Sequence, residues 1–190
     1  MALTMTRPAD NIVIADYDPA WPELFEEERA RLQSVIGQWT VAIEHVGSTS
    51  VPGLAGKPVI DIGVALEDLA DALKCITPLL ELGYQCCGEF RIPGRIFFRR
   101  TTTEPIPGQI TDGVGRTHQI HMYQRDHEQF VWHIAFRDYM RAHPEDAAEY
   151  AALKRDVASR HGDDIEKYIE GKHAFIRGIL AQAGMKDAVR

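Results

Sequence analysis

His45-Val46-Gly47-Ser48-Thr49-Ser50-Val51-Pro52-Gly53-Leu54-Ala55-Gly56-Lys57-Pro58-Val59-Ile60-Asp61-Ile62 reads as a strand end, a glycine-serine turn, a proline-glycine loop, a lysine, and a second apolar strand bearing one carboxylate. A small polar turn lets a ligand approach the backbone, because glycine has no side chain and its N–H can face an anion. A carboxylate on the adjacent strand is where a nucleotide-handling protein would hold a divalent metal. A Walker-type phosphate loop ending at Gly56-Lys57 would need glycine at 51 and Ser or Thr at 58. The chain has Val51 and Pro58, so it is not a P-loop NTPase.

A nucleotidyltransferase arrangement fits better. There a Gly-Ser turn precedes a strand carrying two carboxylates at a spacing of two, which alternation puts on one face to clamp metal. Gly47-Ser48 matches the turn and Asp61 the first carboxylate, but the second position is Gly63.

Outward from this stretch the pattern predicts an α+β fold. Ile12 to Tyr17 reads as a short edge strand, and Asp18 with Pro19 as the cap and first position of a helix running to Ile36. Strands are expected at Val41–Val46 and Val59–Leu66, then a helix over Asp68–Leu82 disturbed by Pro78. Further strands are expected at Tyr84–Glu89, Ile96–Arg100 and His118–Tyr123, with Thr101 to Thr117 as a loop. Helical periodicity follows, broken before Pro144, over Ala147–Ser159 and over Ile165–Ala183. A single domain over 1–190 is expected, with a sheet-containing part over 10–125 and a helical part over 126–190.

Composition narrows the class. The 190 residues are 45% hydrophobic and 26% charged, ordinary for a globular protein, with net charge −7. That balance argues against a nucleic-acid partner. No apolar run approaches the roughly 18 residues of a membrane span, so no membrane partner is expected. The first ten residues lack a signal-peptide pattern, and a cytoplasmic location follows by default. Cys75, Cys86 and Cys87 match neither a disulfide framework nor a zinc spacing.

Motifs along nearly the whole chain are similar to the GrpB (UPF0157) family of the nucleotidyltransferase superfamily. They include Tyr17-Asp18-Pro19-Ala20-Trp21-Pro22, His45-Val46-Gly47-Ser48-Thr49-Ser50-Val51-Pro52-Gly53-Leu54 and Lys57-Pro58-Val59-Ile60-Asp61-Ile62. Gly88-Glu89-Phe90, Ile92-Pro93-Gly94-Arg95, Phe97-Phe98-Arg99, Ile120-His121-Met122-Tyr123, Ala135-Phe136-Arg137-Asp138-Tyr139 and Tyr168-Ile169-Glu170-Gly171-Lys172 follow in order. The resemblance implies a nucleotidyltransferase-like mixed sheet backed by helices, with a helical C-terminal half. It departs at Ile96, where a second arginine is common, and in a long loop over Thr101–Gly115.

The expected activity is an NTP- and Mg²⁺- (or Mn²⁺-) dependent transferase or ligase acting on a small molecule, nucleotidyl transfer foremost, with ATP or another NTP as substrate. Asp61 would hold metal, Gly47 and Ser48 would contact phosphates, and Lys57, Arg95 and Arg99 would neutralise charge. His121 is expected to line the Asp61 pocket as a metal ligand or general base, and His45 is given the same standing. His118 should face away from His121, since a spacing of three on a strand reverses sides. Arg137 and Asp138, being adjacent on a helix, are expected not to pair. Gly63 favours an alternative, a non-catalytic anion-binding module. A metal-dependent hydrolase built on His45, Asp61 and His121 is a second. Glu44, Glu89 and Glu104 are the carboxylates that could join Asp61, with strand parity against Glu44.

Overall fold

The computed structural model describes residues 12–102 and 115–185. Five strands, β1 (Thr40–Val46), β2 (Ile60–Leu66), β3 (Gln85–Cys86), β4 (Arg95–Thr101) and β5 (Arg116–Gln124), form one sheet in the order β1-β2-β5-β4-β3. β2 and β5 pair in parallel at its centre, and every other neighbour is antiparallel. The fold is α+β, as the element pattern predicts.

Alternation on β2 assigns the two faces. Ile60, Ile62, Val64 and Leu66 join Phe98, Ile120 and Met122 in the main core under helices α1 (Trp21–Ile36) and α2 (Ala72–Glu81). Fully burying such a side chain is worth roughly 1.5–3 kcal/mol, so this face anchors the sheet. Asp61, Gly63 and Ala65 point the other way, toward α3 (Glu128–Ala142). Helices α4 (Pro144–His161) and α5 (Ile165–Gln182) pack with α3 on Val51, Leu54 and Ala55 of the loop before β2. The C-terminal helices thereby fix the loop that precedes Asp61.

Several local expectations shift. The stretch Ile12–Tyr17 contributes only a bridge between Ala15 and Gly56. Helix α1 begins at Trp21, with Pro22 rather than Pro19 in its first turn, and the Asp18 carboxylate accepts from Ala20 N at 2.9 Å. Pro78 sits inside α2, which is preceded by a 3₁₀ turn at Leu69–Asp71. β3 is far shorter than Tyr84–Glu89 because Cys87 N and Gly88 O both bond Phe97 of β4 at 2.8 Å, two residues against one, which breaks the regular ladder. Glycine φ values of 60° and 75° at Gly88 and Gly94 bracket an irregular strap. Glu104 and most of the Thr101–Thr117 loop lie outside the described residues. Among the described residues no helix is long and apolar enough to cross a membrane.

Under the α1 face lies a buried charged network. Glu28 is 2% exposed and accepts from Tyr84 Oη at 2.9 Å and from Arg100 Nη1 at 3.0 Å on both carboxylate oxygens. Arg100 also donates to His118 Nδ1 at 2.8 Å, so His118 does face away from His121. Burial, then the Arg100 charge, pushes the His118 pKa down to about 3, leaving the ring neutral.

Candidate functional site

The turn after β1 is built for close approach. Gly47 has φ +69°, and a Cβ there would lie 2.5 Å from Asp61 Oδ2, so only glycine lets the turn rest on that carboxylate. The Ser48 hydroxyl is 2.7 Å from Lys154 Nζ on α4, and Lys154 also donates to Ala55 O. Lys154 is 2% exposed and lies over the Tyr150 ring. Burial, then the neighbouring Lys172 charge, holds its pKa well below the usual lysine value.

Register places the next groups. Asp61 pairs with Gln119, which pairs with Arg99; Gly63 pairs with His121, which pairs with Phe97. His121 Nε2 approaches Asp61 Oδ1 at 3.4 Å, while Arg95 Nη1 is 3.3 Å from His121 Nδ1. A guanidinium only donates, so Nδ1 must accept and Nε2 carries the proton toward Asp61. Arg95 goes on to donate to Glu89 O at 3.2 Å and Phe90 O at 2.5 Å, which ties the strap to this chain of groups.

Beside it opens a cavity of about 970 Å³. Its wall holds six basic side chains, Lys57, Arg91, Arg95, Arg99, Arg116 and Lys172, against two acidic ones, Glu166 and Glu170. The chain as a whole carries −7, so the positive lining is a local concentration and not a general property of the surface. Phe90, Phe97 and Tyr168 supply aromatic walls, with Phe90 stacked on Phe97 at 5.3 Å. Lys57 and Lys172 lie 5.2 Å and 4.0 Å from the centroid of the Tyr168 ring.

The structure thus brings Lys57, Arg95, Arg99 and His121 to one cavity, with Asp61 and the Gly47-Ser48 turn adjoining it. Arg95 and Arg99 do share a face, but Arg95 is 5% exposed and committed to the strap, and Arg99 Nε donates to Gln85 Oε1 at 2.9 Å.

His45 leaves the set. It pairs with Ile62 on the α1 face, stacks on Phe25 at 4.6 Å and meets Thr49 Oγ1 at 2.9 Å. Burial pushes its pKa down to about 4. Counting parity through Gly47 misleads, because strand geometry ends at Val46 and Gly47 is left-handed. The same correction reverses Glu44, which pairs with Gly63 and so shares the Asp61 face. Glu44 is nonetheless engaged by Arg137 Nη1 at 2.7 Å. Arg137 Nε also reaches Asp138 at 2.8 Å, against expectation, because a long side chain can fold back to its helix neighbour. Glu89 is used within the strap, accepting from Gly94 N at 2.9 Å.

A metal fits poorly here. A Cβ on Gly63 would lie 3.2 Å from Phe130 Cε2 and 3.3 Å from Val46 Cγ1, so the place of a second carboxylate is crowded by a ring and a methyl group. Among the described residues no group of three or more His, Cys, Asp or Glu side chains is placed to hold a metal ion. Asp61 and His121 alone are too few donors for resident Mg²⁺ or Mn²⁺, which demand a near-complete oxygen shell.

Beyond Arg137, which the family motif contains, His133 and Arg141 on α3 and Lys154 on α4 escaped sequence reasoning, and each had a signal. Phe130, His133, Arg137 and Arg141 recur at helical spacing and lie along the sheet-facing side of α3. His133 sits 5.2 Å from His121, and Arg141 bonds Ser50 O at 2.7 Å. Lys154 occupies an apolar stripe with Ala147, Tyr150, Ala151 and Val157, all buried on α4. A lone lysine in such a stripe must find internal acceptors.

Fold and site together define an α+β protein with a cationic, aromatic-walled cavity beside a Gly-Ser turn and a single strand carboxylate. The family model described as GrpB protein matches residues 11–182, and the chain belongs to that family. It is 38% identical over 170 residues to the UPF0157 protein YqkA of Bacillus subtilis, covering 90% of this chain and 46% of that one. The crystal structure of the conserved protein GrpB from Enterococcus faecalis superposes with a TM-score of 0.79 at 37% identity, covering 94% of this chain and all of that one. A dephospho-CoA kinase of Mycolicibacterium paratuberculosis is 28% identical over 180 residues, covering 87% of this chain and 44% of that protein. This chain therefore spans less than half the length of the Bacillus and mycobacterial relatives.

Proposed function

We propose that the cavity binds a nucleotide, or a small molecule that combines phosphate and a ring in the same way. The observation that carries this is the pairing of six basic side chains with three aromatic walls in one cavity of an otherwise acidic protein. Cations capture phosphate, and aromatic faces stack a base with little regard to its identity. A volume of about 970 Å³ suits a nucleotide-sized ligand.

The Gly-Ser turn, Asp61 and membership of the GrpB family support nucleotidyl transfer, or ATP-dependent ligation, to a small acceptor. The chain's own groups would supply anion capture, ring stacking and an oriented carboxylate. Asp61, held by His121, can accept a proton from an acceptor hydroxyl. Resident metal does not fit the donor set. This specifically favours a second reading, a binding module on a transferase fold that has no metal chemistry.

The test is a thermal-shift panel with ATP, GTP, CTP, UTP and dephospho-CoA, with and without Mg²⁺. The last compound is included for the mycobacterial relatives' name. Stabilisation by at least one compound supports the pocket, and transfer of a labelled nucleotidyl group to an acceptor distinguishes enzyme from module. If none of the five stabilises the protein, the proposal is wrong.

A further inference from the structure

Lys57 and Lys172 reach the cavity from different elements, the loop before β2 and the middle of α5, yet meet at one aromatic ring. A flexible ammonium normally avoids another of its kind in a partly enclosed site. The nitrogens lie 5.2 Å and 4.0 Å from the Tyr168 centroid, so they are close enough for the phosphates of one nucleotide to reach both. Every element around Lys172 offers a charged or titratable group: Lys57 from the loop, Asp61 from β2, Lys154 from α4, and Tyr168 and His173 from α5. Arg91, Arg95, Arg99, Arg116 and His121, with Glu166 and Glu170 from α5, supply the other charged and titratable groups of the cavity wall. Asp61 is the carboxylate whose charge bears on Lys172, and no ion pair joins the two among the described residues.

We propose that Lys57 and Lys172, meeting at Tyr168, form the phosphate subsite of this cavity, and that anion binding there is coupled to proton uptake by Lys172. The inference rests on the reading of the cavity as a nucleotide site and deepens it. In the empty site, burial and then the Lys57 charge bring Lys172 down to about 7, so it is largely neutral at pH 8. A polyphosphate seated between the two lysines reverses both influences, because it adds several negative charges at contact distance. Lys172 then binds the proton it had released. Linkage requires the converse, that ATP affinity falls as pH rises through the range where free Lys172 loses its proton.

The experiment is calorimetric titration of ATP into the full chain at pH 8, without divalent metal, in two buffers of different ionisation enthalpy. ATP is fully ionised at that pH, so the nucleotide takes up no proton of its own. The difference between buffers should show a net uptake of protons, up to one per ATP bound. Lys172→Arg, which keeps the charge and cannot release it, should still bind ATP with uptake near zero. Lys57→Met should weaken binding at least tenfold. Uptake that persists in Lys172→Arg would place the proton on another group and overturn the assignment. Binding with no uptake in the unaltered protein would overturn the coupling while leaving the nucleotide site standing. Absence of ATP binding would overturn the subsite proposal, whereas the reading of the cavity as a nucleotide site falls only if none of the five compounds stabilises the protein.

Discussion

Phe130 Cε2 lies 3.2 Å from the point where a Cβ on Gly63 would sit. The contact explains why the strand that carries Asp61 carries no second acid: the ring of α3 closes over the sheet at that point. Gly63→Asp should therefore destabilise the protein by about 1–3 kcal/mol, the range for forcing atoms into a packed site. Urea unfolding measures it, and Phe130→Ala in the same chain should recover part of the loss. An unchanged midpoint for Gly63→Asp would mean that the ring does not occupy that space.

With so few donors, binding should not require a divalent ion. EDTA is expected to leave ATP binding in place. Asp61→Asn should tighten metal-free binding several-fold, since it removes a negative charge beside a cationic cavity. Calorimetry in EDTA decides the matter: weaker binding by Asp61→Asn in the absence of metal would assign Asp61 a direct attractive role that the charge argument denies.

Acid sensitivity should come from three histidines that burial holds neutral, His45 and His118 on the α1 face and His133 on α3. His45 and His118 have folded pKa values lowered to about 4 and about 3, against 6.5 when unfolded. The unfolded chain thus binds more protons between those values, so stability falls as pH drops below 6.5 and levels off only near 3–4. A tenfold change in proton affinity corresponds to about 1.4 kcal/mol, so His45 alone accounts for roughly 3 kcal/mol by pH 4. Chemical denaturation at pH 7 and pH 4.5 should show His45→Gln losing less stability between the two than the parent chain does. Equal losses would show that His45 is not held neutral.

Glu28 should be among the costliest single positions. Replacing it by Ala leaves Arg100 and the Tyr84 hydroxyl without their buried acceptor, at about 3–5 kcal/mol. Thermal unfolding of Glu28→Ala and of Glu28→Gln tests this, with the amide retaining part of the network. A loss below about 1 kcal/mol for the alanine would contradict the buried-network account.

The order of strands and helices was readable because apolar periodicity and glycine-proline punctuation are local. The Gly47-Ser48 turn and Asp61 were readable as neighbours for the same reason. What failed depended on geometry past a strand end or on partners distant in sequence. His45 and Glu44 exchanged faces because parity does not survive the left-handed Gly47. Lys154 bonds Ser48 from 106 residues away, and nothing local to either residue names the other. Arg95 was expected to neutralise ligand charge beside Arg99, and only the folded strap supplies the carbonyls of Glu89 and Phe90 that occupy it. The cavity itself is a product of α5 closing over the sheet, so only the family motif Tyr168-Ile169-Glu170-Gly171-Lys172 set Lys172 apart from a solvated helix face.

The central claim is that Lys57 and Lys172 hold the phosphates of a nucleotide in this cavity. The most direct measurement is the ATP dissociation constant of the Lys57→Met, Lys172→Met double variant beside that of the parent, with thermal unfolding of both. Methionine keeps most of the side-chain volume, and replacing a buried charge by an apolar group is often neutral for folding. The account predicts affinity lowered at least a hundredfold with the melting temperature preserved. Unchanged affinity in a folded double variant would contradict it.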